Sequence, residues 1–219
     1  MPASVSHPAL RVFDRLPLRE RLFVRARLFS APLVELARRA EGGRIVDVGC
    51  GHGVLCALLA VGFPDRQVVG IDPDPRKIDW ARASVGRLPN TRFEAVTVDA
   101  LAEREASSFD CVTVADVLYL LPPAGWPGFL GTCRRLLRPG GRLLLKEAED
   151  DGSWRAKKAL WQERLMVGLG RTRASGGLGF QPRAVTLEAL QVAGFRVGEV
   201  LRLSRGFSTP HVLFDARSV

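Results

Sequence analysis

Four aspartates and three alternating glycines hold the chemistry of this chain. Gly49, Gly51 and Gly53 interrupt Ile45-Val-Asp-Val-Gly-Cys-Gly-His-Gly-Val54, and Asp47 stands two residues before the first of them. Glycine tolerates positive φ and puts no Cβ between backbone and ligand. The apolar run that follows, Val54-Leu-Cys-Ala-Leu-Leu-Ala60, reads as a helix whose first N–H groups are open to a ligand. Asp72 closes Gly70-Ile-Asp72, and a carboxylate there can accept both hydroxyls of a ribose. Asp99 closes Val98-Asp99, where it can accept from an adenine amine while the Ala100 N–H donates to a ring nitrogen. Asp116 follows the apolar run Phe109–Ala115.

Two ligands fit such an edge, a dinucleotide such as NAD and a nucleoside bearing positive charge. The glycines are spaced Gly-x-Gly-x-Gly, where a dinucleotide turn reads Gly-x-Gly-x-x-Gly. Asp47 and Asp116 would repel a pyrophosphate and attract an ammonium or a sulfonium. The cationic nucleoside is therefore the better match.

These residues need a frame that gathers strand ends. Strands are predicted at 44–48, 67–71, 92–96, 109–115 and 141–147, with helices at 53–61, 75–86, 101–105 and 124–137. β-rich runs separated by helical patterns imply a parallel, doubly wound α/β sheet, whose ligands bind outside the carboxyl ends of the strands. Before it, residues 10–30 read as an amphipathic helical region broken by Pro17, with Leu18, Leu22 and Phe29 at helical spacing. A second helix runs from Pro32 to about Ala40. After it come a tryptophan-containing helix at 153–170, a glycine-rich loop at Ser175–Gly179, a helix from an N-cap at Thr186 to Ala193, and two strands at 195–203 and 211–216. The expected division is a basic helical cap over 1–43 and an α/β domain over 44–219 with a helical insertion at about 152–185.

The 219 residues carry a net charge of +9, and that charge is localised. Residues 1–44 hold nine arginines against Asp14, Glu20, Glu35 and Glu41, and residues 152–183 hold seven basic residues against Glu163. No apolar run reaches the ~20 residues of a membrane span, and no signal-peptide pattern opens the chain. Cys50, Cys56, Cys111 and Cys133 lack CxxC spacing and read as reduced core thiols of a cytoplasmic protein. Three histidines without cysteine partners give no metal site.

In Val46-Asp-Val-Gly-Cys-Gly-His-Gly53, Gly70-Ile-Asp-Pro-Asp74, Val98-Asp-Ala100, Phe109–Leu121 and Leu136-Leu-Arg-Pro-Gly-Gly-Arg142 the chain resembles the class I S-adenosylmethionine-dependent methyltransferases. The resemblance implies a Rossmann-like, mostly parallel seven-stranded sheet with an antiparallel last strand. It implies that Asp47 and the backbone of Gly49, Cys50, Gly51 and Gly53 hold the methionine part of S-adenosylmethionine. Asp72 with Pro73 would hold the ribose, and Asp99 with Ala100 the adenine. Ala115 and Asp116 would lie beside the methionine amine and the acceptor. S-adenosylhomocysteine is the implied product.

The acceptor side is less defined. Asp116 and Glu147 are the candidate bases, with His52 a weaker one whose alternative is a solvent-facing or loop-packing ring. Lys146 and Glu147 read either as an exposed ion pair or as a polar pair facing the acceptor. Tyr119, Trp154 and Trp161 are candidate acceptor-wall residues, with packing as the alternative for each. The arginines mixed with apolar residues before position 30 suit an interfacial helix at the inner membrane surface and a lipid-like or carrier-bound small-molecule acceptor. An anionic metabolite is the second reading. RNA ranks last, because Ala115-Asp-Val-Leu-Tyr lacks the prolines of base-amine methylation. A non-catalytic cofactor-binding module of the same fold is the remaining alternative, and no stable protein partner is expected.

Overall fold

The computed structural model describes residues 7–168 and 179–219. A 3₁₀ turn at Pro8–Phe13 leads to helix α1 (Leu18–Ser30) and α2 (Leu33–Arg39). The chain then alternates β1 (Arg44–Val48), α3 (Val54–Gly62), β2 (Gln67–Ile71), α4 (Pro75–Ala83), β3 (Thr91–Glu94), α5 (Val98–Arg104), β4 (Phe109–Ala115), α6 (Trp126–Leu136) and β5 (Leu137–Ala148). It ends with α7 (Trp154–Gly168), α8 (Arg183–Val192), β6 (Phe195–Arg202) and β7 (His211–Ser218).

The seven strands form one sheet in the order β3-β2-β1-β4-β5-β7-β6. The first five are parallel, and β7 runs antiparallel to both β5 and β6. Strand order reverses between β1 and β4, so the cleft of an open α/β sheet falls at the carboxyl ends of those two strands. The sheet, its antiparallel last strand and its flanking helices agree with the expected architecture.

Both faces of the sheet are covered. One core joins α3, α2, α1 and the Pro8–Phe13 turn, and the other joins α5, α6 and α8. Residues Val54–Ala60 are buried all round, because α3 lies between the sheet and the N-terminal segment. Ala9, Leu10, Phe13, Leu16, Val24 and Leu28 thus share one core with the α/β part.

Several boundaries differ from the sequence reading. Leu18 and Leu22 are exposed, at 67% and 56%, and the buried face of α1 is made by Glu20, Val24 and Leu28. The last helix begins at Arg183 behind Pro182, so Thr186 is a buried residue inside it and not its cap. A proline at the entry fixes φ for a helix start as well as a hydroxyl cap signals one. Residues 175–178 of the expected loop, with Arg171 and Arg173, lie outside the described residues.

Candidate functional site

Gly49, Gly51 and Gly53 have φ of 77°, 54° and 79°, so the turn after β1 is left-handed at each glycine. At Gly49 the requirement is double. A Cβ there would stand 2.5 Å from Val117 Cγ2, so only glycine lets the residue after Asp116 close against the turn. A Cβ on Gly51 would meet nothing within 4 Å, which leaves open space before its backbone. The Gly49 and Cys50 N–H groups donate to the Ile71 carbonyl at 2.8 and 2.9 Å and tie the turn to the end of β2.

Asp72 lies just beyond β2 and is buried. Its Oδ2 accepts from the Gly51 N–H at 3.1 Å and its Oδ1 from the Asp74 N–H at 2.9 Å. The carboxylate is thereby fixed beside the glycine turn, next to exposed Pro73, with Lys77 Nζ at 3.8 Å. Asp47 is fully enclosed. Thr113 Oγ1 donates to it at 2.9 Å and Cys56 Sγ at 3.5 Å. Burial pushes its carboxyl up to about 7, against the lowering effect of those two hydrogen bonds and of Arg27. Such a group resists ionisation until a cation approaches.

The adenine readers are placed differently from expectation. β3 stops at Glu94, and Asp99 and Ala100 sit in the first turn of α5. The Asp99 carboxylate accepts from Thr132 Oγ1 of α6 at 2.8 Å, and the Ala100 N–H is taken by the Thr97 hydroxyl at 3.3 Å. Helix capping therefore occupies the Ala100 N–H, whereas the exposed Asp99 carboxylate uses one oxygen in helix packing and keeps acceptor capacity on the other.

The acceptor side is a buried charge cluster at the ends of β4 and β5. Asp116 has φ 61°, a strained value for a residue with a side chain. Its N–H donates to the Lys146 carbonyl at 2.8 Å. Its carboxylate meets Lys146 Nζ at 2.5 and 2.6 Å and Arg27 Nη1 of α1 at 2.7 Å. Burial alone would raise its pKa, but the two cations outweigh it and hold the carboxyl below its usual range. Asp116 is therefore a poor base. Lys146 and Glu147 are buried and are not an exposed pair; the partner of Lys146 is Asp116. Glu147 Oε1 accepts from the Val117 and Leu118 N–H groups at 3.0 and 2.9 Å, while its buried Oε2 has no hydrogen-bond partner. Burial and the neighbouring Asp116 push Glu147 up to about 8.

Helix α1 crosses this edge like a strap. Glu20 Oε2 meets His52 Nε2 at 3.0 Å, Phe23 packs its ring 4.8 Å from that of His52, and Arg27 reaches Asp116 and the Ala115 carbonyl. The Ser30 carbonyl meets His211 Nε2 at 2.9 Å. These positions recur every three or four residues, on one helical face. His52 is thus the anchor of the cap on the glycine turn and does not face solvent. Burial holds its pKa below the usual value, with Glu20 opposing. The sequence pattern did not single out Glu20 or Arg27, whose signal is their spacing on one face of α1, and Lys146 belongs to the reading that placed a polar pair at the end of β5. Tyr119 is buried edge-on against Phe180 at 5.3 Å. Trp154 and Trp161 are 71% and 65% exposed and line no wall.

A family model described as a methyltransferase domain matches residues 19–199. The chain belongs to the methyltransferase-domain family. Over 104 residues it is 36% identical to the ubiquinone biosynthesis O-methyltransferase of Paracidovorax citrulli, covering 46% of this chain and 42% of that protein. Over 107 residues it is 40% identical to the corresponding protein of Methylocella silvestris, covering 48% and 39%. The match therefore spans about two fifths of those relatives. Among solved structures, the pyocyanin biosynthetic protein PhzM superposes with a TM-score of 0.70 at 20% identity, over 98% of this chain and 63% of that one. Geranyl diphosphate methyltransferase in complex with S-adenosylmethionine gives 0.66 at 17%, over 99% and 96%. Their likeness is one of fold.

Proposed function

We propose that this methyltransferase-domain chain binds S-adenosylmethionine and transfers its methyl group to a hydroxyl of a small, lipid-like or carrier-bound acceptor. One observation carries the cofactor reading. The open left-handed turn Gly49–Gly53 lies against an Asp72 carboxylate that two N–H groups fix in place. The donor set fits the group. Asp47 with the Gly49, Cys50, Gly51 and Gly53 backbone would face the ammonium and sulfonium, Asp72 with Pro73 the ribose, and Ala115 the methionine end. Asp99, exposed and with acceptor capacity beyond its bond to Thr132, would take the adenine amine, and the ring-nitrogen role of Ala100 requires Thr97 to give up its cap.

When bound, the cofactor supplies an already activated methyl group. The protein then has to align the acceptor and, for a hydroxyl, remove a proton. Glu147 suits that task better than Asp116. Its Oε2 lacks a partner, and a pKa of about 8 is well matched to a weakly acidic hydroxyl at neutral pH. Asp116, held by Lys146 and Arg27, fixes the end of β4. The O-methyltransferases of ubiquinone biosynthesis favour oxygen as the acceptor atom. The arginines of the cap leave an anionic metabolite as the second reading.

No described helix is long and apolar enough to cross a membrane. Contact with the inner membrane surface would be peripheral; the sequence pattern points for it to the cap, where Leu18 and Leu22 are exposed among Arg15, Arg19 and Arg25. Incubation with methyl-labelled S-adenosylmethionine and a panel of phenolic, isoprenoid and carboxylate acceptors tests the reading. Label in a methyl ether is the expected product. Label only in methyl esters of the carboxylates, which need no proton removed, would overturn the role given to Glu147.

A further inference from the structure

α7 begins six residues after the carboxyl end of β5, on the edge of the sheet where the site lies. Its spacing divides it into two faces. Ala156 and Ala159 are buried, with Ala159 packing in a small apolar cluster with Tyr119, Ala148 and Phe180. Trp154, Lys157, Lys158 and Trp161 are all exposed, and their spacings of three, four and seven put them on the opposite face. The helix is held in this orientation at its start. The Arg155 guanidinium donates to the carbonyls of Ser204, Phe207 and Ser208, in the loop before β7. Asp150 and Asp151, the acids nearest the helix start, accept from the N–H groups of Gly152 and Ser153 in the turn.

Among the described residues no packing covers this outward pair of tryptophans, and Lys158 Nζ lies 5.9 Å from the centre of the Trp154 ring. Tryptophan is amphipathic and favours the headgroup level of a bilayer, and lysines beside it are drawn to anionic lipid. A protein partner fits less well, because interface cores take up tryptophan but exclude lysine. We propose that the Trp154–Lys157–Lys158–Trp161 face of α7 docks the protein on an anionic lipid surface. The proposal goes beyond the cofactor reading and stands without it, since docking is measured with neither cofactor nor acceptor present. It also assigns the contact to α7, where the sequence pattern pointed to the N-terminal cap. Docked in this way, the protein would turn the β4–β5 edge of the sheet toward the lipid.

The test is co-sedimentation of the full chain with phosphatidylcholine vesicles and with vesicles containing phosphatidylglycerol, followed alongside by tryptophan emission. Binding is expected only to the anionic vesicles, with a blue shift of the emission. Lys157→Glu with Lys158→Glu, and separately Trp154→Ser with Trp161→Ser, should each weaken it at least about tenfold while leaving the melting temperature unchanged. The blue shift should vanish in the second variant. No binding by the wild type would overturn the proposal. So would full binding by both variants with loss in Arg15→Glu/Arg19→Glu, which would return the contact to the cap. A concentration-dependent dimer abolished by Trp154→Ser/Trp161→Ser would also overturn it, by making the face a contact between two copies.

Discussion

Asp47 couples cofactor binding to pH. Its enclosed carboxyl has a pKa of about 7 in the free protein, against 3.8 for an ordinary aspartate. An opposite charge placed ~4–6 Å away lowers a carboxyl pKa by roughly 1–3. A cationic ligand that brings it down by about two releases a proton on binding between about pH 5 and pH 7. Affinity then rises about 25-fold between about pH 5 and pH 7, out of about 100-fold between the limits below about pH 4 and above about pH 8. The full change is about 2.7 kcal/mol at ~1.36 kcal/mol per pKa unit. In the free protein the sign is opposite. The folded pKa is raised, so the contribution of Asp47 to stability is full below about pH 4 and is lost as pH rises through about 7. Calorimetric titration with S-adenosylmethionine at about pH 5, 6 and 7 reads the effect, and Asp47→Asn should flatten it. Equal affinity at the two ends of that range, or an unchanged slope in Asp47→Asn, would refute the reasoning.

Gly49→Ala should cost about 1–2 kcal/mol for its positive φ alone, and more for the 2.5 Å approach to Val117; denaturant melts and cofactor titration should both register it. Lys146→Met leaves Asp116 with Arg27 as its remaining ion-pair partner among the described residues and should destabilise by about 3 kcal/mol, and a loss below about 1 kcal/mol by chemical denaturation would count against a structural role for the pair. Glu147→Gln keeps the acceptor oxygen for the Val117 and Leu118 N–H groups but removes the base, so kcat should fall roughly 100-fold or more with cofactor affinity unchanged.

What the sequence disclosed and what it hid divide along sequence distance. The glycine turn and Asp72 were legible because their meaning is local: a left-handed turn needs glycine at fixed spacing, and a carboxylate after a strand needs only its neighbours. The parallel sheet was legible because strands buried on both faces read as near-continuous apolar runs, whereas their order was not. Arg27 was hidden because its partners, Ala115 and Asp116, are almost ninety residues away, and one arginine among nine gives no sign of which reaches the site. Lys146 and Glu147 looked like surface charges because adjacent opposite charges usually are. In the structure β5 is flanked by β4 and β7 and lies under the cap, which buries both side chains on opposite faces of the strand. Asp99 was misplaced because β3 already ends at Glu94, and Thr97 opens a helix beyond it.

The central claim is that the Gly49–Gly53 turn and Asp72 form a site for S-adenosylmethionine. Calorimetric titration of the purified chain tests it most directly. The account predicts one cofactor bound per chain with an affinity in the micromolar range, at least about tenfold weaker in Asp72→Ala, and no competing uptake of NAD. Absence of binding, wild-type affinity in Asp72→Ala, or NAD bound at the same site would contradict it.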